Sequence, residues 1–180
     1  TLDDFLTHIQ QGHPDLEGLL VKILDKEAPI QFTELFRTIN QFYEHLCDLY
    51  GPLPNIFQEN VTEKGNLSRS AIMKRLEGLA EQCHFENDFI RHKTKPIRPR
   101  KREGDCVVDI DNIFPPEREA MIKRIIRHAA YIHTQDLIFE TARHLGYSRT
   151  GEKIKAVLQE DIGRLLERGE IVQQDGKLSV

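Results

Sequence analysis

The chain has 180 residues, of which 39% are hydrophobic, and its 25 Lys and Arg against 29 Asp and Glu give a net charge of −4. At this length folding buries roughly 70% of the surface of the unfolded chain, enough for one sizeable core or two small ones without disulfides. The longest apolar runs are only a few residues, which excludes a membrane-spanning helix.

The cysteines indicate the redox compartment of the protein, and the start of the chain indicates that it is a fragment. Cys47, Cys83 and Cys106 form no CxxC pair, so they fit neither a disulfide framework nor a four-cysteine zinc site. No charged-then-apolar leader precedes the first predicted helix, and the chain begins at Thr1 rather than at Met. We therefore expect reduced thiols in a cytoplasmic protein, and a chain that is a piece of a longer one.

The first half of the chain predicts helices separated by one short extended segment. Apolar residues recur at helical spacing in four stretches, residues 2–11, 14–26, 33–51 and 68–83. The extended segment lies at residues 28–32. Residues 51–67 are rich in turn formers and predict a loop, and residues 84–90 predict a strand.

The second half repeats this order after a β-prone run at residues 106–110. Pro115 and Pro116 stand in the first turn of the next predicted helix, where proline is favoured. An extended piece at residues 130–133, a helix opened by Thr134 and a third helix follow. Asp175-Gly176, between two apolar stretches, predicts a tight hairpin.

The two halves also align residue by residue, which indicates an internal duplication. With an offset of 102, the aligned apolar pairs are Ile23 with Ile125, Leu24 with Ile126, Ile30 with Ile132, and Leu35 with Leu137. After an insertion in the first half, Ser68-Arg69-Ser70 aligns with Ser148-Arg149-Thr150.

Three helices, a short strand and a terminal hairpin describe a winged helix, so we predict a mainly α fold with small β-hairpins, built from two tandem winged-helix-like units. The predicted domains are residues 1–90, a basic linker at 91–108, and residues 109–180. The predicted core of the second unit consists of Ile122, Ile125, Ile126, Leu137, Ile138, Ala142, Ile154, Val157, Leu158, Ile162, Leu165 and Ile171. The alternative is an all-helical bundle in which the apparent repeat is a coincidence.

Positive charge is concentrated in the segment RHKTKPIRPRKR. Residues 1–90 carry a charge of −8, residues 91–102 carry +7 and residues 103–180 carry −3. Two prolines favour an extended conformation for this segment, so it predicts a flexible phosphate-binding arm. A solvated linker explains it equally well. Its cationic residues are Arg91, Lys93, Lys95, Arg98, Arg100, Lys101 and Arg102.

The third helix of the second unit is a weaker candidate for nucleic-acid contact. Its outward face is mixed, because Glu152 and Glu160 would meet phosphate unfavourably, and the first unit exposes Glu77 and Glu81 in the same way. The remaining candidates for non-specific backbone contact are Arg149, Lys153, Lys155 and the hairpin residue Lys177.

Residues 109–180 resemble a known family. The stretches that carry the resemblance are DNIFPPE, IHTQDLIFETARHLGYSRTGEKI and RLLERGEIVQQDGKLSV, with Gly146 to Gly151 the most distinctive part. They resemble a C-terminal domain of unknown function found at the end of large bacterial superfamily-one DNA/RNA helicase-like proteins. The resemblance implies a helicase-like parent protein. The chain has no GxxxxGK[ST] motif, so any ATP chemistry would lie elsewhere in that parent.

Motifs for catalysis or metal binding are absent from the sequence. No HExxH or Cys2His2 spacing exists, and His128 with His133 do not share a helical face. Acidic pairs such as Asp109 and Asp111 lack an accompanying lysine-bearing strand motif. We expect a non-enzymatic chain without metal or cofactor.

Two functions remain after these exclusions. The first is an accessory region of a helicase- or nuclease-type protein that binds DNA or RNA mainly through backbone contacts. The alternative is a protein-protein docking or regulatory module, with the remainder of the parent helicase-like protein as its partner. Neither function involves a membrane.

Overall fold

The computed structural model describes residues 16–50, 68–104 and 107–180. The chain divides into two compact units, unit 1 (Thr1–Lys95) and unit 2 (Pro96–Val180). This division places most of the basic segment in unit 2, whereas the sequence predicted a separate linker over residues 91–108. The predicted helix at 2–11 and the predicted loop at 51–67 lie outside the described residues.

Unit 1 combines helices with a small antiparallel sheet. Its described elements are α1 (Leu16–Glu27), β1 (Ile30–Gln31), α2 (Phe32–Tyr50), α3 (Arg69–Gly78), β2 (Cys83–Glu86) and β3 (Phe89–His92), with the strand order β1-β3-β2. The prediction of one strand over 84–90 was wrong, because Asn87 and Asp88 both have positive φ and turn the chain into a hairpin. Ser68 caps α3 as predicted, since its hydroxyl accepts from the Ala71 amide at 3.1 Å.

Unit 2 has the same order of elements after a short 3-10 helix at Ile110–Asn112. They are α4 (Pro115–Ala129), β4 (Ile132–His133), α5 (Thr134–His144), α6 (Glu152–Glu167), β5 (Val172–Gln174) and β6 (Lys177–Ser179), with the strand order β4-β6-β5. The β-prone run at 106–110 forms no strand at residues 107–110. The Val108 carbonyl accepts instead from the Tyr147 hydroxyl at 2.7 Å.

The two units match closely in register. Strands β1 and β4 stand 102 residues apart, as do the first residues of α2 and α5. In unit 1 Ile30 pairs with Ile90, and in unit 2 Ile132 pairs with Leu178. Each hairpin turns on two residues with positive φ, Asn87-Asp88 and Asp175-Gly176. The chain is thus mainly helical with two three-stranded sheets, which excludes the all-helical bundle.

Each unit has its own hydrophobic core. Leu20, Leu35 and Ile39 are fully buried in unit 1, and Ile122, Leu137 and Leu158 are fully buried in unit 2. Ten of the twelve core residues predicted for unit 2 are buried, and Ile154 and Val157 are half-buried against the same cluster. Helical periodicity therefore identified the inward faces correctly.

A buried ion pair joins α4 to α6 inside unit 2. The Arg118 guanidinium donates to both carboxylate oxygens of Asp161, from Nε at 2.7 Å and from the second terminal nitrogen at 3.1 Å. It also donates to the Ile110 and Ile113 carbonyls. Arg118 therefore connects both helices to the segment that precedes α4, and its removal leaves a carboxylate of 0% exposure without its main partner.

We expect Arg118→Met to lower the free energy of unfolding by about 3 kcal/mol, because the buried Asp161 carboxylate loses its bidentate donor and keeps Arg164 as its cationic partner. The control is Arg143→Met, which breaks the exposed Arg143–Glu140 pair in the same unit and should cost under about 1 kcal/mol. Urea unfolding of the full chain measures both. Equal losses for the two variants would contradict the structural role of Arg118.

Candidate nucleic-acid interface

The first residues of the basic segment belong to unit 1 and are tied to it. Arg91 lies in β3, with its Nε 3.4 Å from the Glu86 carboxylate. Lys95 Nζ lies 2.5 Å from Asp25 Oδ1, and this hydrogen bond is the main reason why the pKa of Asp25 is lowered. Lys93 is exposed and has no acidic partner among the described residues.

The next residues, 97–102, lie along α4 of unit 2, and we call them the strap. Glu117, in the first turn of α4, has 0% exposure and binds the strap at two arginines. Arg100 donates to Glu117 from Nε and from a terminal nitrogen, both at 3.0 Å, and from its backbone amide at 3.2 Å. Arg102, itself buried, donates to the same carboxylate at 3.1 Å.

The strap differs from the predicted flexible arm at these two residues. A buried carboxylate requires cationic or hydrogen-bonding partners, and Arg100 and Arg102 supply them to Glu117. Their positive charge is therefore neutralised inside unit 2. Sequence reasoning counted both as phosphate ligands because the pairing partner lies 15 to 17 residues further along the chain.

Three other predicted ligands are paired with acids on the surface. Lys101 lies 2.6 Å from Glu103, and Lys155 lies 2.7 Å from Glu152. Lys153 lies 2.7 Å from both Asp109 and Asp111, and hydrogen bonds to these two carboxylates raise its pKa above the usual lysine value. Lys153 stays charged, but two carboxylates neutralise its field.

Four of the eleven predicted residues are exposed and have no acidic partner within the described ranges: Lys93, Arg98, Arg149 and Lys177. Of these, Arg98 on the strap is brought next to further cations. Ile97, Arg98 and Pro99 form one side of a groove of about 540 Å³, and Ala120, Lys123, Arg124 and Arg127 of α4 form the other. We call this the arginine groove.

Arg124 and Arg127 were missed by the sequence reasoning. Both are exposed, and neither has an acidic partner in the part of the chain that the structure describes. Their i, i+3 spacing puts them on the same side of α4, and this was the available signal. Only the buried face of α4 was predicted from the sequence. Lys123, the fourth cation of the groove, is paired with Glu170.

A second depression lies between α4 and α5. This apolar groove has a volume of about 470 Å³ and is lined by Met121, Arg124, Ile125, His128, Ala129, Ile132, Glu140 and His144. Arg124 lines both grooves, so the two depressions are neighbours on the α4 side of unit 2. We call the two neighbouring grooves together the path.

The outward face of α6 agrees with the mixed charge predicted for it. Glu152, Gln159 and Glu160 are exposed. Glu160 accepts from Arg164 at 2.7 Å, so that arginine is also held within the protein. This face offers phosphate little attraction.

Metal and membrane sites are not evident in the described ranges. No group of three His, Cys, Asp or Glu side chains among the described residues is placed to hold a metal ion. None of the described helices combines the length and the apolar character needed to cross a membrane. Cys83 is a buried free thiol, and burial raises its pKa.

Comparison with known proteins found no matching family model, no matching curated protein and no matching solved structure. The site is therefore interpreted from its own geometry. The family resemblance of residues 109–180 is an expectation from the sequence.

The stretch that carries most of that resemblance packs against the end of the strap. Gly146 has φ +98°, and a Cβ placed there would lie 2.5 Å from the Arg102 carbonyl oxygen and 2.7 Å from Val107 Cγ2. The adjacent Tyr147 hydroxyl is hydrogen-bonded to Val108, and burial raises the pKa of Tyr147 to about 12. Gly146 and Tyr147 thus pack against Arg102, Val107 and Val108.

We expect Gly146→Ala to lower the free energy of unfolding by at least about 2 kcal/mol, because its positive φ and the approach of the Arg102 backbone both oppose a side chain. Gly163→Ala is the control. Gly163 lies inside α6 with open space around it, so this change should stabilise the protein by about 0.5–1 kcal/mol. Thermal and urea unfolding measure both signs, and a neutral Gly146→Ala would refute the packing argument.

Proposed function

We propose that the chain is a non-catalytic accessory region of a helicase- or nuclease-type protein, and that it binds DNA or RNA mainly through the phosphate backbone. The observation that carries the proposal is the arginine groove. Arg98, Arg124 and Arg127 line one depression and are exposed, and none has an acidic partner among the described residues. Phosphates are bound by such unneutralised arginines, and this attraction does not depend on base sequence.

The order of elements supports a second part of the proposal, that each unit is winged-helix-like. Both units run helix, strand, helix, helix and hairpin, and the first strand pairs with the last. In DNA-binding proteins of this general design the helix before the hairpin enters the major groove. In unit 2 that helix carries Glu152 and Glu160 on its exposed face, whereas in unit 1 it carries Arg69, Lys74 and Arg75 beside Glu77. We assign the phosphate contacts to the α4 side of unit 2, because Arg98, Arg124 and Arg127 line one groove there.

The resemblance of residues 109–180 supports the parent class. It implies that this chain is part of a protein with a helicase-like motor. Binding of nucleic acid that does not depend on base sequence would suit such a motor, because it would work on any substrate sequence. Charge steering by an arginine groove suits that role, because it raises the rate of association without selecting bases.

A second candidate function, docking to the remainder of the parent protein, is favoured by one observation on unit 1. That unit has ten Lys and Arg against fifteen Asp and Glu, and it exposes Met73 and Phe85. An excess of acidic residues together with exposed apolar side chains suits a basic protein partner. Phe85→Ser should weaken association with the separately expressed remainder of the parent and leave oligonucleotide binding unchanged.

For nucleic-acid binding, we expect the triple variant R98A/R124A/R127A to lose affinity by at least about tenfold at low salt. The salt slope should become shallower by as much as about 2.7, since each lost phosphate contact removes about 0.9 from it. Fluorescence anisotropy of the full chain with labelled single- and double-stranded DNA, at low and at ~150 mM salt, measures both quantities.

The matched control is K101A/K153A/K155A, which removes the same formal charge from unit 2. Its three lysines are paired with Glu103, with Asp109 and Asp111, and with Glu152, so affinity should change by less than about twofold. Equal losses in the two triple variants would show that overall charge, not the arginine groove, governs binding. A wild-type chain that binds no DNA or RNA at low salt would overturn the proposal.

A further inference from the structure

An aromatic ring stands exposed at the end of α4. Tyr131 is 70% exposed, the highest fraction among the large apolar or aromatic side chains that the structure describes as exposed. A ring with this exposure leaves its π-face accessible to a ligand.

Backbone hydrogen bonds fix the main chain on both sides of Tyr131. Ala130 ends α4 with φ +61° and ψ −49°, and the Tyr131 amide donates to the Ala129 carbonyl at 2.8 Å, which makes a γ-turn. This conformation is strained for an alanine, and strained backbone of this kind collects at binding sites. On the other side, Ile132 is fixed by its pairing with Leu178. The backbone conformation of Tyr131 is thus set by the γ-turn before it and by the strand pairing after it.

The apolar groove lies beside this ring. Ala129 and Ile132, the residues that flank the γ-turn and Tyr131, both line it. Its rim carries Arg124, His128 and His144 against one acid, Glu140, and that acid accepts from Arg143 at 2.8 Å. Since Arg124 also lines the arginine groove, the path combines arginines that have no acidic partner among the described residues with apolar side chains and with two residues close to Tyr131 in the chain.

We infer that the nucleic acid on this path is single-stranded, with its phosphates at Arg98, Arg124 and Arg127 and a base stacked on Tyr131. The inference rests on the proposed function and names its substrate class. A groove that combines cations with an exposed aromatic ring matches the way single strands are bound, because an unpaired base offers a π-face that a duplex keeps inside its stack.

Comparison of the two units strengthens this assignment. At the offset of 102, the residue equivalent to Tyr131 is Pro29, which is buried, and the residue equivalent to Arg127 is Asp25. Unit 1 therefore repeats the scaffold without the ring or the arginine. Arg124 corresponds to Lys22, so one cation of the groove is common to both units. The ring and Arg127 are therefore the features that distinguish unit 2 from unit 1 at these positions.

The first experiment compares a 12-nucleotide single strand with its duplex, using the full chain at ~150 mM salt and fluorescence anisotropy. We expect the single strand to bind at least about tenfold more tightly. Tyr131→Ala should weaken single-strand binding by about 5- to 150-fold, the loss expected for one stacked base. The salt dependence of single-strand binding should be the same for Tyr131→Ala as for the wild-type chain, because no phosphate contact is removed. Tyr131→Phe should keep nearly full affinity.

A matched control and a direct reporter complete the design. Phe85→Ala removes another exposed ring, in unit 1, and should leave single-strand binding unchanged. The chain has no tryptophan, so Tyr131→Trp introduces a unique fluorophore at the site. Its emission should be quenched when the single strand binds and should stay constant with the duplex.

The outcomes separate this inference from the proposed function. Binding that needs Arg98, Arg124 and Arg127 but is equally tight for the duplex, or is indifferent to Tyr131→Ala, would overturn the single-strand inference alone. Failure of the wild-type chain to bind any oligonucleotide at low salt would overturn both. Binding of an acidic peptide under those same conditions would identify the path as a protein-docking groove.

Discussion

Unit 2 is organised around one buried carboxylate. Glu117 lies in the first turn of α4, where the helix dipole favours negative charge, and it has no access to water. Such a group must be satisfied from within the protein, and Arg100 and Arg102 satisfy it. This pairing docks the strap along α4, and docking in turn places Arg98 opposite Arg124 and Arg127. The arginine groove therefore depends on the ion pairs that Glu117 makes with Arg100 and Arg102.

The cations that the structure describes divide into three groups by their partners rather than by their position in the sequence. Arg118, Arg100 and Arg102 neutralise buried acids and hold elements together. A second set, including Lys101 and Lys153, is neutralised by acids at the surface. Only those that lack such a partner within the described residues retain an uncompensated field, and three of them meet in one groove. The location of uncompensated positive charge follows from this distribution, not from the density of basic residues along the chain.

The two units use one scaffold for different surfaces. Both keep the hairpin register, the two-residue turn and the buried apolar pairs, because these hold each small core together. They differ at exposed positions, where Asp25 in unit 1 pairs with Lys95 and Arg127 in unit 2 pairs with no described acid. Substitution on an exposed helix face costs little stability. A repeated fold can therefore carry different charges at equivalent exposed positions of its two copies.

The sequence by itself determined the mainly helical fold, the repeat and most of the core. Periodicity, the Ser68 cap and the Asp175-Gly176 turn are local signals, and residues near each other in the chain decide them. The hairpin at 83–92 was missed because Asn87-Asp88 is a weaker turn signal than Asp-Gly. Tertiary structure alone decided which cations were available for a ligand. Pairs such as Arg118 with Asp161 join residues that lie 43 apart in the chain. Arg98 lies in the same groove as Arg124 because Glu117 binds the strap along α4. Charge can be counted along a chain, but its neutralisation depends on distances that only the folded state sets.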